Sequence, residues 1–251
     1  MLNEELKELA IQLNLNNLRD NLDDYLLNAE QSNISYCEFL KNVFKMEIEE
    51  REAKKYKMRL KKASLPYHKD FSDFDFNFQK SISKKKINIL CEMQWVDRLF
   101  KLILLGPPGI GKTRIMISLG VEALKKGYDV YFVSMTDLID ILKYRKDSYK
   151  YNLLYKRILN TQVLLLDEIG YLPISKEEAN LFFQLISKLD EKVAMVITSN
   201  KTFSEWTEFL GDPALATAVL DRLSFRCEIF NLTGNSYRLE KRGEYTKFSV
   251  N

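Results

Sequence analysis

The chain has little of what disulfide-rich and zinc-binding proteins need. Its 251 residues include three cysteines, Cys37, Cys91 and Cys227, and a single histidine, His68. The cysteines are far apart in the sequence and form no CxxC pair. Disulfide frameworks use an even number of cysteines, and zinc sites use clustered Cys and His ligands. The sequence therefore argues against both.

Long apolar runs and segments rich in glycine or proline are also missing. Every apolar stretch is short and interrupted by charge, which argues against a membrane-spanning helix. The first ten residues, MLNEELKELA, are acidic, whereas a signal peptide starts with a basic region. We therefore expect a cytoplasmic protein with no membrane partner. The net charge of +3 is by itself weak evidence for a nucleic-acid partner.

The first 62 residues contain no glycine and no proline, and their apolar spacing predicts helices throughout. Leu6, Leu9, Ala10 and Leu13 share one helical stripe. A third helix is predicted to begin at Ser35, with Glu38 completing a capping box, and to end before Pro66. We expect residues 1–66 to form a helical N-terminal domain for DNA binding or interaction. Residues 67–251 should form a second domain, which begins with a linker and a first helix at 67–100.

From residue 101 onward, short apolar runs alternate with helical patterns, which predicts an α/β fold. The apolar runs are nearly continuous, as in a parallel sheet covered by helices on both faces. The predicted strands are 101–105, 129–133, 163–167, 193–199 and 227–230, and the predicted helices lie near 112–126, 136–146, 176–190 and 204–222. The second domain should therefore contain a five-stranded parallel sheet.

A phosphate-binding loop follows the first predicted strand. The segment GPPGIGKT matches GxxxxGK[ST] at every fixed position. Backbone N–H groups of such a loop surround the β-phosphate, the lysine neutralises phosphate charge, and the threonine hydroxyl is a ligand for Mg²⁺. The predicted nucleotide-binding residues are Gly106, Pro107, Pro108, Gly109, Ile110, Gly111, Lys112, Thr113 and Arg114.

Two further strand ends carry candidate catalytic groups. Asp167 ends the run VLLLD and is predicted to hold Mg²⁺ through water, while Glu168 is suited to polarise the attacking water. This pair favours ATP hydrolysis over kinase or GTPase chemistry. Asn200 ends the next strand and is predicted to sense the γ-phosphate or the water. The alternatives are an acidic turn for the pair and an ordinary turn asparagine for Asn200.

Three arginines near the end of the chain are candidates for further phosphate contacts. Arg222 closes a helix before the last strand, where an arginine finger can reach the nucleotide of a neighbouring subunit. Arg226 is the second choice for that role, and a salt bridge of Arg222 with Asp221 or Glu228 is the alternative. Arg238 is a candidate for contact with the nucleotide of its own subunit.

Two basic segments are candidates for contact with DNA phosphates. One lies at the end of the third helix and the other near residue 145, where the same segment also contains tyrosine. The predicted DNA-binding residues are Arg51, Lys54, Lys55, Lys57, Arg59, Lys61 and Lys62 in the first segment, and Lys143, Arg145 and Lys146 in the second. The alternative for the first is a solvated helix face balanced by Glu47, Glu49, Glu50 and Glu52. The phenylalanines at 71, 74, 76 and 78 either dock the linker or flank the adenine.

Together these blocks resemble the IstB-like ATPases, the helper proteins of IstA/IstB-type insertion sequences, which are related to DnaC-type helicase loaders. The resemblance covers about residues 74–242, and its most specific part is DEIGYLP, LFFQLIS, TSNKTFSEW and GDP. It implies an AAA+ P-loop ATPase with little or no C-terminal lid, which uses ATP and Mg²⁺. It also implies a small all-α N-terminal domain that helps to bind DNA.

The resemblance also implies a function: an ATP-dependent regulator of DNA transposition. Such a protein assembles with itself on duplex DNA, as a ring or spiral with nucleotide between subunits, and directs an IstA-like transposase to its target. The resemblance assigns Arg222, in the segment LDRL, as the finger acting between subunits. The alternatives are a replicative helicase loader of the DnaC type and an ATP-binding interaction module that does not contact DNA.

Overall fold

The computed structural model describes residues 2–240, which fold into two compact units. The first unit ends at Met58 and the second begins at Arg59. The domain boundary predicted at 66/67 lies further along the chain and stays a prediction. No helix within residues 2–240 is both long enough and apolar enough to cross a membrane.

The first unit consists of three helices. They are α1 (Leu2–Gln12), α2 (Asn16–Ser32) and α3 (Tyr36–Lys62), the last residues of α3 belonging to the second unit. Of the stripe predicted on α1, Ala10 is buried, whereas Leu6, Leu9 and Leu13 are exposed. This outcome has a simple reason, because a unit of three helices covers only part of each helix.

A buried carboxylate on α3 holds the start of α2. Glu47 is 4% exposed, and its Oε2 accepts hydrogen bonds from the backbone N–H groups of Asn17 at 2.8 Å and Leu18 at 3.4 Å. The first N–H groups of a helix have no partner within the helix, and Leu15 before α2 supplies no side-chain cap. Glu47 therefore caps α2 and also pairs with Arg51 at 3.1 Å.

We expect Glu47→Ala to loosen α2. The change leaves two helix-terminal N–H groups without a protein acceptor, which should lower the free energy of local unfolding by about 1–3 kcal/mol. Hydrogen exchange of residues 16–32, measured by mass spectrometry, is the direct readout. The matched control is Glu49→Ala, which removes only an exposed pair with Lys45 at 3.8 Å. Equal exchange in the two variants would contradict the capping role of Glu47.

The second unit contains a five-stranded parallel sheet with the strand order β2-β3-β4-β1-β5. The strands are β1 (Lys101–Leu105), β2 (Val130–Ser134), β3 (Val163–Ile169), β4 (Ala194–Ser199) and β5 (Cys227–Asn231). Every residue of β1 and β4 is buried, as expected for strands covered on both faces. The predicted five-stranded α/β fold is confirmed.

Helices cover both faces of this sheet. The helices of this unit after α3 are α4 (Lys84–Cys91), α5 (Gln94–Asp97), α6 (Lys112–Lys125), α7 (Met135–Tyr144), α8 (Tyr149–Leu159), α9 (Lys176–Leu189), α10 (Trp206–Leu210), α11 (Pro213–Ser224) and α12 (Tyr237–Glu240), with a 3₁₀ turn at Phe203–Glu205. The core on one face joins Ile103, Leu166 and Ile197 of the strands to side chains of α7, α9 and α11. Helix α6 packs on the other face.

Two helical regions differ from the sequence prediction. The helix predicted over 204–222 is broken, because Asp212 caps a new helix through its bonds to the N–H groups of Ala214 and Leu215, and Pro213 takes the first helical position. The helix predicted over 136–146 ends at Tyr144, and the separate helix α8 follows. The break makes α11 an independent helix, and α11 carries Arg222.

Candidate nucleotide site

The ends of three neighbouring strands build the candidate site. Strands β3, β4 and β1 lie side by side in the sheet, and their carboxyl ends meet at one edge. The loop 106–111 leaves β1 at this edge and leads into α6. Gly111 is the N-cap of α6 with φ of 103°, a backbone conformation that suits glycine. The loop N–H groups and the start of α6 thus face one cleft.

Lys112 is 9% exposed and lies against its own loop. Its Nζ donates to the carbonyl oxygens of Gly106 at 2.6 Å and Pro107 at 2.9 Å. Burial lowers the pKa of this ammonium group, and the carboxylates of Asp167 and Glu168 act in the opposite direction. The lysine is therefore a partly desolvated cation at the mouth of the loop, which is the environment that strengthens attraction to phosphate.

A hydroxyl–carboxylate cluster joins the ends of β3 and β4 to the start of α6. Thr113 Oγ1 lies 3.0 Å from Asp167 Oδ1 and 3.2 Å from Oδ2. The hydroxyl of Thr198, at the end of β4, donates to Asp167 Oδ1. Oxygen atoms of this kind are the ligands that Mg²⁺ prefers, with phosphate and water completing the shell. Within residues 2–240 no cluster of three or more Asp, Glu, His or Cys is placed to hold a metal ion.

A bulge at the end of β3 turns Glu168 into the cleft. The pairing of β3 with β4 shifts between Leu166 and Ile169, and Glu168 has φ of 62°. Asp167, its neighbour, is buried, whereas Glu168 is exposed and lines the cleft. The backbone N–H of Glu168 donates to Thr198 Oγ1 at 2.9 Å. Thr198 therefore holds both carboxylate residues through a single hydroxyl.

Aromatic and amide groups also line the cleft. The cleft measures about 690 Å³ and includes Phe74, Phe78 and Tyr237. The rings of Phe78 and Tyr237 meet edge to face at 5.0 Å. Buried Gln79 donates through Nε2 to the Ile110 carbonyl at 3.0 Å, which ties this segment to the phosphate loop. Of the four phenylalanines at 71, 74, 76 and 78, Phe74 and Phe78 line the cleft, and contact with the base stays a prediction.

The candidate arginines divide into two groups. Arg114, Arg238 and Asn200 line the cleft. The Arg114 guanidinium also donates a hydrogen bond to the Asp70 carbonyl at 2.7 Å. Arg222 does not line it: its guanidinium lies over the ring of Phe183 at 4.6 Å and donates to the Ala218 carbonyl. Within the described residues Arg222 makes no ion pair with a carboxylate, so the predicted alternative of a salt bridge finds no support.

Comparison with known proteins settles the family. The family described as IstB-like ATP binding protein matches residues 8–245. The chain belongs to this family. It is 40% identical to the ATP-binding protein of insertion sequence IS21 from Pseudomonas aeruginosa, over 95% of this chain and 90% of the relative. It is 41% identical to the ATP-binding protein of insertion sequence IS5376 from Geobacillus stearothermophilus, over 85% of each chain.

Solved structures give the same answer for the fold. The crystal structure of the DnaC helicase loader aligns with a TM-score of 0.50 and 23% identity, over 59% of the IstB-like chain and 87% of the loader. At this identity the likeness shows the fold alone. Membership of the IstB-like family makes the chain an ATP-binding protein and an ATPase, and the solved structures add its AAA+ fold, as the sequence predicts.

Sequence reasoning missed two side chains of the IstB-like site. Thr198 lies two residues before the predicted Asn200, and a hydroxyl at the tip of a buried strand is a signal that points to it. Gln79 was passed over among the phenylalanines that precede it, and its burial at 2% exposure has no signal in the sequence. Both side chains act by holding other groups, and such a role has no sequence motif.

We expect Thr198→Val to lower the turnover of ATP by about 10²-fold, since misplacing a reacting group by roughly 1 Å has that effect. The variant keeps the shape of the side chain but loses the contacts with Asp167 and the Glu168 N–H. Binding of ATP should change little, because Lys112 and the loop are untouched, so kcat falls while KM holds. Steady-state kinetics check this, with exposed Thr136→Val on α7 as the control. A Thr198→Val protein with normal kcat would rule out the positioning role.

The basic residues on α3 are partly neutralised by neighbouring carboxylates. In the first unit Arg51 pairs with Glu47, Lys54 pairs with Glu50, and Lys55 pairs with Glu52 at 2.8 Å. Lys57 is exposed. The structure thus supports the balanced helix face for much of this segment and leaves exposed cations near its end.

The remaining basic candidates belong to the second unit. Lys61 and Lys62 are exposed at the end of α3, while Arg59 donates to the Leu124 carbonyl at 3.5 Å. Near α7, Lys143 pairs with Glu178 at 2.9 Å and Arg145 lies over the ring of Tyr155 at 4.3 Å. Lys146 is exposed. In this unit Lys61, Lys62 and Lys146 are therefore the candidates most open to phosphate.

Proposed function

We propose that this IstB-like chain is an ATP-dependent regulator of DNA transposition, which assembles on duplex DNA and directs a transposase. Membership of the family and the insertion-sequence relatives support the setting. The observation that carries the proposal is where the cationic side chains lie relative to the cleft. Lys112, Arg114 and Arg238 line the cleft, whereas Arg222 lies outside its lining. In the proposal, Arg222 instead completes the cleft of a neighbouring subunit.

In this proposal the cleft hydrolyses ATP. Lys112 and the loop N–H groups hold the β- and γ-phosphates, and Arg238 contacts the nucleotide of its own subunit. Phe78 and Tyr237 contact the base. Glu168 orients and polarises the attacking water, and Asn200 contacts the γ-phosphate or that water. The shared lining of one cleft and the chemistry of each group support these roles.

Mg²⁺ would be held by Thr113 and, through water, by Asp167. The two side chains lie within hydrogen-bond distance of each other and offer only oxygen atoms. A bound Mg²⁺ neutralises charge that develops on the phosphate oxygens during hydrolysis. The bond of Thr198 to Asp167 fixes the orientation of that carboxylate, as outer-shell groups do at metal sites.

Arg222 would act between subunits. We propose that its guanidinium reaches the γ-phosphate held by a neighbouring copy, so that ATP binds most tightly where two subunits meet. Nucleotide then favours the assembled state by mass action, and hydrolysis at Glu168 releases it. The exposed lysines at the end of α3 and near α7 would contact DNA phosphates without reading bases.

The first experiment compares assembly on two nucleic acids. Size-exclusion chromatography with light scattering is run with ATP and Mg²⁺, on a duplex of about 50 base pairs and on a single strand of similar length, long enough to seat several subunits at the usual site sizes. A large complex that needs both ATP and duplex supports the proposal. Binding to the single strand alone favours a helicase loader. ATP turnover with no DNA binding at moderate salt favours an interaction module that does not contact DNA.

A further inference from the structure

A lysine is buried at the start of the central strand. Lys101 is the first residue of β1 and is 1% exposed, which is rare for a lysine. Its Nζ donates three hydrogen bonds: to Asp190 Oδ1 at 2.7 Å, to the Arg222 carbonyl at 2.8 Å and to the Phe225 carbonyl at 3.1 Å. An ammonium group has three N–H donors, so each of them has a partner.

The sheet itself does not need a cation at this position. The other four strands begin with Val130, Val163, Ala194 and Cys227. What the ammonium contacts is the C-terminal end of α11, where carbonyl oxygens have no partner within the helix and carry partial negative charge. Lys101 therefore connects β1 to the last turn of α11, and Asp190, just after α9, balances its charge.

The helix that Lys101 holds is the helix that carries Arg222. Because Asp212 starts α11 as a separate helix, α11 is not positioned by continuity with α10. Lys101 fixes the backbone at Arg222 itself, while the Phe183 ring and the Ala218 carbonyl hold the guanidinium. Backbone and side chain of this arginine are thus fixed by different groups.

We propose that Lys101 is a positioning residue for Arg222, which fixes the end of α11 so that the guanidinium meets the nucleotide of a neighbouring subunit in a constant geometry. The proposal rests on the proposed action of Arg222 between subunits. Lys101 lies at the end of β1 opposite the phosphate loop, so it has no part in the nucleotide site of its own subunit. Loss of Lys101 should therefore lower ATP hydrolysis only when the subunit that supplies the arginine finger carries the change.

Mixed assemblies separate the two sides. Arg222→Ala subunits keep a complete cleft but lack the finger, and Glu168→Gln subunits keep the finger but cannot hydrolyse ATP. On the duplex, an equal mixture should hydrolyse ATP faster than either variant alone. Lys101→Met is then added to one partner at a time. In the Glu168→Gln partner it should lower the activity about tenfold or more, whereas in the Arg222→Ala partner it should leave the activity unchanged.

Each result decides the inference. Equal losses on both sides, or no loss, would overturn it while leaving the action of Arg222 between subunits intact. A mixture without added Lys101→Met that gains no activity would instead refute that action, and the inference would fall with it. A merely structural lysine would weaken both partners alike, so the asymmetry is the signature sought.

Two further variants keep the test sound. If Lys101→Met subunits do not fold, Lys101→Met with Asp190→Leu replaces the ion pair by apolar side chains, a change that is often neutral for stability. The same one-sided loss is expected, because both carbonyl contacts are still missing. Asp190→Asn is the matched control: it removes the charge of the partner but keeps Lys101 and its carbonyl contacts, and it should support full activity as a finger donor.

Discussion

Replacing Glu168 with Gln should lower the rate of ATP hydrolysis by about 10²- to 10⁴-fold, the usual range for loss of a general base. The amide keeps the size of the side chain but cannot accept a proton from the attacking water. ATP binding should persist, because Lys112, Thr113 and Asp167 are unchanged. Since nucleotide between subunits favours assembly, the variant should also remain as a large complex on duplex DNA when ATP is present.

Two measurements check this result together: steady-state ATP turnover, and the lifetime of the complex after dilution, followed by light scattering. Glu177→Gln is the control, because Glu177 is exposed in the first turn of α9. A Glu168→Gln protein that hydrolyses ATP at the original rate would exclude Glu168 as the base. Slow hydrolysis with a short-lived complex would separate catalysis from disassembly and refute their coupling.

Replacing Arg222 with Ala should lower turnover in the assembled state by about 10³-fold, the lower end of what an arginine finger contributes. The proposed reason is that Lys112 and Arg238 hold the nucleotide within one subunit, while the charge of Arg222 reaches the γ-phosphate from the neighbouring subunit. The nucleotide affinity of an isolated subunit should not change, because Arg222 does not line its own cleft.

The readouts are ATP turnover on the duplex and nucleotide affinity at subunit concentrations too low for assembly. Arg222→Lys tests the chemistry, because a lysine keeps the charge but lacks the planar fork of donors. Arg226→Ala tests the second choice, since Arg226 is exposed just before β5. If Arg226→Ala shows the large loss and Arg222→Ala does not, the finger is Arg226.

The parts of the fold that were predictable are those specified by local sequence. Continuous apolar runs gave the five strands to within about two residues, the usual uncertainty of an element end. The capping box that starts α9 is also local, because Ser175 and Glu178 lie three residues apart and both of its hydrogen bonds are present. In each case the determining residues are neighbours in the chain, so their spacing carries the information.

Features that depend on distant partners were not predictable in this way. The exposure of Leu6, Leu9 and Leu13 depends on how little of α1 its neighbours cover. The cap that Glu47 provides for α2 joins residues thirty apart in the sequence. The hydrogen bonds of Thr198 to Asp167 and Glu168 form only when β3 and β4 pair. The hydrogen bond from Lys101 to the Arg222 carbonyl joins residues 121 apart in the sequence.

The break between α10 and α11 is an intermediate case. Gly-Asp-Pro at 211–213 is a local signal for the end of one helix and the start of another. The apolar pattern on both sides concealed it, since the pattern alone predicts one continuous helix. At this position the turn residues, and not the apolar periodicity, determine where one helix ends and the next begins.

The left-handed backbone at Glu168 has a consequence for selection on stability. A non-glycine residue in this conformation costs roughly 1–2 kcal/mol relative to an ordinary one. A glycine there would relieve that strain and make the isolated protein more stable, while removing the group that activates water. Screens for thermostable variants should therefore enrich inactive proteins at this position. If selection for transposition retains the glutamate, the protein keeps its ATP turnover at the expense of stability at this position.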